Sequence, residues 1–143
     1  MTILDDIALD LPAIEEGRWV TIHGLRIKLR GRRCEAYQER LEELFEPHRA
    51  IFAAAPNSEA SRKLHREAVR RAVLERCVAD WEAHSRDGAA IPCTPETVYE
   101  LLSQPKFAHV YESILGHVAA DNDYLTRAEV AEAGNFVAGS GGT

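Results

Sequence analysis

The stretch from residue 81 to residue 102 most constrains the fold, because it joins a turn signal to a helix start. The dipeptide Asp87-Gly88 supplies the positive-φ geometry that a tight turn requires. In Thr94-Pro95-Glu96, the threonine is a helix cap, the proline suits the first helical position, and the glutamate lies against the positive end of the helix dipole. The sequence therefore predicts a helix that ends over residues 81–84, a turn, and a short helix over residues 95–103.

Other helices are predicted from apolar side chains at helical spacing. The longest pattern covers residues 61–84, where one apolar stripe ends in Trp81 and arginines occupy much of the remaining surface. Shorter patterns are interrupted by prolines, which end helices. They predict helices over residues 34–45, 49–55, 106–121 and 126–134.

A β-hairpin is predicted near the N-terminus. Residues 19–22 and 25–31 flank His23-Gly24, and the second run alternates apolar and basic residues, which is the period of a strand with one wet face. A two-stranded ribbon is stable only when its apolar face packs on something else. The predicted fold class is thus mostly α, a compact bundle of about five helices with a short N-terminal β-hairpin, or α+β by strict count.

Domain organisation follows from these elements. Residues 1–17 carry five acidic and no basic side chains, and they are predicted to form an irregular acidic arm. Residues 18–135 form a single helical domain that begins with the hairpin over residues 18–31. Residues 136–143 form a flexible Gly-rich tail. A chain of 143 residues is long enough to bury such a core without metal or disulfide help.

Composition and charge narrow the class of protein. The first twelve residues are acidic, unlike a signal peptide, and no apolar run reaches the ~20 residues of a membrane span. Three widely spaced cysteines fit reduced thiols. We expect a protein of the cytosol, and the net charge of −6 argues against a generally basic nucleic-acid-binding domain.

Catalytic and metal-binding patterns are weak. Cys77, His84 and Cys93 could converge around the predicted turn, but their spacing matches no metal motif. We interpret Cys77 as a small buried hydrophobe and His84 as a cation at a helix end. The predicted helix start beside Cys93 could lower its pKa somewhat, yet no catalytic string accompanies it. We expect no enzyme, no metal and no cofactor.

Nucleic-acid binding is the first alternative. An otherwise acidic chain concentrates bases on the predicted ribbon, and more arginines lie on the long helix, so both elements could contact phosphates. The ribbon is flanked by acidic segments, and pairing with them would largely cancel its field. The candidate contacts are Arg26, Lys28, Arg30, Arg32 and Arg33.

A helical binding module is the other interpretation. Short amphipathic helices interrupted by prolines pack imperfectly and tend to leave grooves, where a partner's amphipathic helix can lie. Core packing explains the inward residues of the long helix equally well. Near the break at Pro105, the residues Leu102, Phe107 and Tyr111 fit either a groove or the core.

The order of these landmarks resembles the tail assembly chaperones of long-tailed bacteriophages. The similarity extends from Trp19 to Asn135. It rests on Arg18-Trp19-Val20 with Gly24 and the alternating strand, a helix closing in Trp81, Asp87-Gly88 with Ile91-Pro92, Thr94-Pro95-Glu96 before Leu101-Leu102, a helix ending near Tyr124, and Gly134-Asn135-Phe136.

The resemblance implies a non-enzymatic protein in the cytoplasm of the bacterial host. It implies binding to the tape measure protein, which stays soluble while tail tube subunits assemble, and possible contact with the tail tube protein. No membrane or nucleic-acid partner is expected, and an exposed hairpin edge would permit self-association. On this basis we predict that the partner groove is bordered by Trp81, Ile91, Leu102, Phe107 and Tyr111.

Overall fold

The computed structural model describes residues 2–126. The prediction of a mostly helical chain with an N-terminal hairpin is confirmed. In chain order the helices and strands are α1 (Leu11–Glu16), β1 (Arg18–Ile22), β2 (Leu25–Leu29), α2 (Glu35–Phe45), α3 (Arg49–Ala54), α4 (Glu59–Ala72), β3 (Val78–Trp81), α5 (Pro95–Leu102) and α6 (Ala108–Ala119).

The predicted hairpin is present, with β1 and β2 antiparallel and Val20 opposite Ile27. Its two-residue turn has positive φ at both His23 (49°) and Gly24 (83°), the geometry that matches the twist of the flanking strands. Along β2, Ile27 and Leu29 are fully buried while Arg26 is exposed. The alternation read from the sequence therefore places the apolar face inward, as predicted.

The predicted long helix over residues 61–84 is wrong beyond residue 77. Helix α4 ends at Ala72, a π-helical turn covers Val73–Cys77, and β3 adds a third strand beside β2. Ile27 lies opposite Trp81, and Leu29 lies opposite Val78. A strand here satisfies the backbone groups along the second edge of β2, and it still buries Val78 and Trp81. Trp81 thus ends a strand, not a helix.

The N-terminal arm also differs from its prediction. It contains a 3-10 turn at Leu4–Ile7 and helix α1, which Asp10 caps by accepting a hydrogen bond from the Ala13 amide. The Asp10 amide donates to the Tyr124 carbonyl at 2.7 Å. The arm is therefore attached to the end of the described chain.

One hydrophobic core unites the sheet with the helices. Most of its fully buried members come from β2, the π-helical turn, α5 and α6, and they include Leu29, Leu74, Val98 and Ile114. The predicted helices at residues 34–45, 49–55, 95–103 and 106–121 are confirmed with small boundary shifts. The predicted helix at residues 126–134 and the Gly-rich tail lie outside the described residues.

Candidate partner-binding groove

An open groove of about 430 Å³ lies where the β1–β2 turn, the end of β3, and helices α5 and α6 meet. Its buried apolar residues are Ile22, Trp81, Leu102 and Val110. Its half-buried apolar residues are Leu25, Ile91, Leu101 and Phe107, which stay accessible at the surface. The groove therefore combines an anchored base with exposed apolar side chains.

The segment between β3 and α5 is fixed by a small set of hydrogen bonds. The Ile91 amide donates to the Ala83 carbonyl at 2.8 Å, and Trp81 Nε1 donates to the Ile91 carbonyl at 2.8 Å. At the tip, Asp87 accepts from the Ala89 amide, and Gly88 has φ +86°. The predicted Asp-Gly turn is confirmed, and it places Ile91 beside Trp81.

Two helix starts position the opposite side of the groove. The Thr94 hydroxyl accepts a hydrogen bond from the Thr97 amide at 3.2 Å, so the predicted cap of α5 is confirmed. After α5, a 3-10 turn at Pro105–Phe107 precedes α6, and the Phe107 amide donates to the Gln104 carbonyl. The proline break thereby leaves Phe107 half-buried at the surface.

Four of the five predicted partner-binding residues line this one groove: Trp81, Ile91, Leu102 and Phe107. Tyr111 does not. It lies one turn further along α6, where the Arg70 guanidinium of α4 stands 5.5 Å from the centre of its ring. Burial raises the pKa of Tyr111 to about 12. Tyr111 is thus a contact between α6 and α4, outside the groove.

Histidines at the groove were not predicted from the sequence. The rings of His23 and His109 meet edge to face with their centres 4.8 Å apart, and both line the groove together with His84. His23 lies in the β1–β2 turn. Its contact with α6 depends on how the sheet packs against that helix, which the sequence does not give. His84 pairs with Ala90 across the turn, so the prediction of a helix-end cation is wrong.

Charged side chains at the groove are few. Glu82 and Lys106 contribute to its lining. The Lys106 ammonium lies 5.3 Å from the centre of the Phe107 ring, a cation-π distance. The groove is therefore apolar with a mixed polar margin.

The basic ribbon proposed as a nucleic-acid contact is largely engaged within the protein. Arg32 and Arg33 pair with Asp121 at 3.1 and 3.0 Å. Arg30 donates to the carbonyls of Glu15 and Arg76. These three of the five candidate side chains are consequently held by acidic or carbonyl oxygens.

The other two basic candidates lie on the outer face of the sheet. The Arg26 guanidinium stands 5.3 Å from the centre of the Trp19 ring. Lys28 is flanked in register by Trp19 on β1 and Asp80 on β3. Arg26 and Lys28 alone form a short basic strip.

The three cysteines differ in their surroundings: a hydrogen bond with Cys77 lowers the pKa of the Cys34 thiol to about 7, but that thiol is fully buried. Burial raises the pKa of the Cys93 thiol to about 11, with a further contribution from Asp80, so the predicted lowering by a helix start is wrong. Cys77 is fully buried, as predicted. Within residues 2–126, no group of three His, Cys, Asp or Glu side chains is arranged to hold a metal ion.

Fold and groove together define a small, mostly helical domain with a three-stranded antiparallel sheet and an open apolar groove. In comparisons with known proteins, no family model, curated protein or solved structure matches this chain. No helix among residues 2–126 has the length and hydropathy to span a membrane.

Proposed function

We propose that the groove binds an amphipathic helix of a partner protein, and that the chain acts as a non-enzymatic tail assembly chaperone in the host cytoplasm. The partner would be the tape measure protein, with the tail tube protein as a possible second contact. The observation that carries the proposal is the convergence of Trp81, Ile91, Leu102 and Phe107, which come from β3, α5 and the segments beside α5, on one open apolar groove.

The chemistry of the groove favours a helix as the bound group. An amphipathic helix presents apolar side chains at positions i, i+3, i+4 and i+7, and it docks them into an apolar groove. Phe107 and Ile91 supply accessible apolar surface, while Trp81 and Leu102 are anchored in the core. Because the margin carries Lys106, Glu82 and histidines, the polar face of such a helix stays in contact with polar groups or water.

A tape measure protein would offer many apolar helical segments along its length. A long, partly apolar helical chain self-associates unless its apolar stripe is masked, and masking must be reversible when the tube encloses it. One small groove per molecule gives weak binding, and many copies along one partner give effective coverage. The open groove of this chain suits that mode.

Nucleic-acid binding is the alternative, and the ion pairs weigh against it. Arg32 and Arg33 share Asp121, and Arg30 is bonded to two carbonyls, so these groups would have to break protein contacts to reach phosphates. Of the five candidates, only Arg26 and Lys28 form no ion pair or side-chain hydrogen bond within residues 2–126. Two such cations on the ribbon are too few for a duplex-binding surface, so binding to a duplex would also have to use the basic side chains of α4 that form no ion pair in the described part of the chain, and these lie on a different element.

The test is co-expression with a candidate tape measure protein, followed by affinity purification and sizing at physiological salt with sheared DNA as competitor. We expect Phe107→Ala to reduce recovery of the soluble partner at least about tenfold. Leu115→Ala is the matched control, because Leu115 is a half-buried residue of α6 outside the groove. It should leave recovery within about twofold.

A second pair of variants separates the two functions. Arg26→Glu with Lys28→Glu reverses the free part of the basic ribbon, and we expect partner recovery to stay close to that of the unaltered protein. If this double variant abolishes recovery while Phe107→Ala does not, the groove is the wrong surface. If the partner stays insoluble and the chain retains DNA with a steep salt dependence, the nucleic-acid alternative is correct.

A further inference from the structure

The large apolar side chains that are strongly exposed within residues 2–126 occur in two places, and neither is the groove. The first is the N-terminal arm, where Ile3, Leu4, Ile7 and Leu11 are 52–77% exposed. The second is α3, where Ile51 is 43% exposed beside a pocket. Clustered apolar exposure of this kind marks an interaction surface more often than scattered single residues do.

The arm is acidic as well as apolar. Asp5 and Asp6 lie in its 3-10 turn between Leu4 and Ile7. Neither carboxylate has an ion-pair partner among residues 2–126, whereas Asp10 further along is held by Arg18 at 3.0 Å. The arm thus presents apolar side chains together with two negative charges that its own fold does not neutralise.

The pocket beside α3 is basic, whereas the arm is acidic. It has a volume of about 420 Å³ and lies between α3 and the first half of α4, with Phe52 and Pro56 on one side and Arg62, His65 and Arg66 on the other. The Ser61 hydroxyl fixes this junction by donating to the Ala55 carbonyl at 2.6 Å. The pocket is therefore a formed apolar recess with a basic rim.

The basic rim is not neutralised by the fold either. Arg62 and Arg66 at the rim, and Lys63 next to Arg62 in the chain, take part in no ion pair among residues 2–126. One turn later on the same helix, Arg70 pairs with Glu67 and Arg71 pairs with Glu75. The unneutralised charge of α4 is concentrated at the pocket.

We propose that the acidic apolar arm of one molecule docks into the basic apolar pocket of a second copy of this chain. Leu4 and Ile7 would enter the recess beside Phe52, and Asp5 and Asp6 would face Arg62 and Arg66. Complementary charge makes the pairing specific and sensitive to salt. Because the two surfaces differ, each molecule keeps one free arm or one free pocket, and the contact extends head to tail.

The arm does not fill the pocket of its own molecule. Its base is tied to the opposite end of the described chain, because the Asp10 amide bonds to the Tyr124 carbonyl and Leu9 pairs with Leu125. Its apolar side chains remain exposed in this arrangement. A small interface built from one arm and one pocket belongs to the weak, transient class.

The test uses sedimentation velocity of the full chain up to about 1 mM, in low and high salt. We expect concentration-dependent association that high salt weakens. Asp5→Lys with Asp6→Lys gives an arm variant, and Arg62→Glu with Arg66→Glu gives a pocket variant. Each should associate at least about tenfold more weakly than the unaltered chain, because like charges then meet across the contact.

Mixing the two variants is the decisive measurement. The arm variant keeps a basic pocket for the acidic arm of the pocket variant, and the two reversed surfaces also complement each other. We expect the mixture to associate about as strongly as the unaltered chain, and at least about tenfold more strongly than either variant alone. Control variants with the same charge changes elsewhere are Glu96→Lys with Glu100→Lys, and Arg26→Glu with Lys28→Glu, and both should associate normally.

Several outcomes would overturn the proposal. A chain that remains monomeric at 1 mM in low salt would contradict the docking of the arm into the pocket. Association that survives in both variants would assign it to another surface such as the sheet edge. A mixture that stays monomeric would contradict the pairing. Leu4→Ser with Ile7→Ser leaves the core untouched, and it must also weaken association.

Discussion

The indole Nε1 of Trp81 donates a hydrogen bond to the backbone carbonyl of Ile91 at 2.8 Å, and this contact joins the end of β3 to the segment that precedes α5. Trp81 is 7% exposed, so the bond forms largely out of water. It sets the distance between two sides of the groove. Its loss should therefore loosen the groove as well as lower stability.

Replacing Trp81 by Phe keeps an aromatic ring and removes the donor. We expect the free energy of unfolding, measured with urea, to fall by about 1–3 kcal/mol, because the Ile91 carbonyl loses its partner and the smaller ring packs less well. Trp19→Phe is the control, since Trp19 is a half-buried residue on the outer sheet face. An equal loss in both variants would show that the hydrogen bond contributes nothing.

Substitutions at two glycines test whether backbone conformation, and not space for a side chain, requires glycine at position 88. A Cβ added at Gly88 or at Gly116 would meet no atom within 4 Å, but only Gly88 has a left-handed φ, of +86°. We expect Gly88→Ala to lower the melting temperature, at a cost of about 1–2 kcal/mol. Gly116→Ala, in the interior of α6, should raise the melting temperature, because it adds about 0.5–1 kcal/mol to the free energy of unfolding. Shifts of the same sign would refute the turn geometry.

The hairpin, the Asp-Gly turn and the cap at Thr94 could be predicted because each depends on local chemistry. Their signals are the alternation along β2, the dipeptide Asp87-Gly88 and the hydroxyl of Thr94, and the structure confirms all three elements. Strand β3 could not be predicted in this way. Val78 and Trp81 continue the helical spacing of α4, and the competing partner, the free edge of β2, is about 50 residues away.

For the groove too, residues marked by local sequence signals could be predicted, and residues placed by tertiary packing could not. Leu102 and Phe107 flank a proline break, which is a local signal, and they were predicted together with Trp81 and Ile91. Tyr111 shares their helical stripe, but its position under Arg70 depends on how α4 crosses α6. His23 and His109 meet only because the hairpin turn packs on α6. Periodicity gives the buried face of a helix, and it does not give the neighbour on that face.

The ion pairs of Glu75 should stabilise the fold at neutral pH and lose this effect in acid. Its carboxylate accepts hydrogen bonds from Arg40 at 2.9 Å and from Arg71 at 2.7 Å. Burial alone would raise the pKa of Glu75, but these hydrogen bonds outweigh burial and hold it below the ordinary value. A carboxyl whose pKa is lower in the folded state contributes stability above its unfolded pKa of about 4.3, and loses it as the pH falls through its folded pKa.

Glu75→Gln should therefore lower the free energy of unfolding by about 1–3 kcal/mol at pH 7, because Arg40 loses its less exposed partner. The difference from the unaltered protein should shrink in urea titrations below about pH 4. Glu43→Gln is the control. Glu43 also pairs with Arg40, but its side chain is 61% exposed, so it should cost less than about 0.5 kcal/mol. A pH-independent difference would contradict the assignment.

Cys93 should be a slow nucleophile despite its partial exposure and its place just before α5. Burial and the nearby Asp80 carboxylate raise the pKa of its thiol to about 11, whereas a free cysteine has a pKa of about 8.5. Only the thiolate attacks an alkylating reagent, so at pH 8 iodoacetamide should modify Cys93 at least about tenfold more slowly than it modifies glutathione. Mass spectrometry of peptides after timed quenching gives the rate.

The same experiment tests the cause of the slow reaction. Asp80→Asn removes the nearby negative charge and should accelerate alkylation of Cys93, because less repulsion opposes the thiolate. The effect should be modest, since burial is the larger cause. Cys34 and Cys77 are fully buried and serve as internal references that stay unmodified while the protein is folded. Rapid alkylation of Cys93 at pH 8 would instead support activation of the thiol by the start of α5.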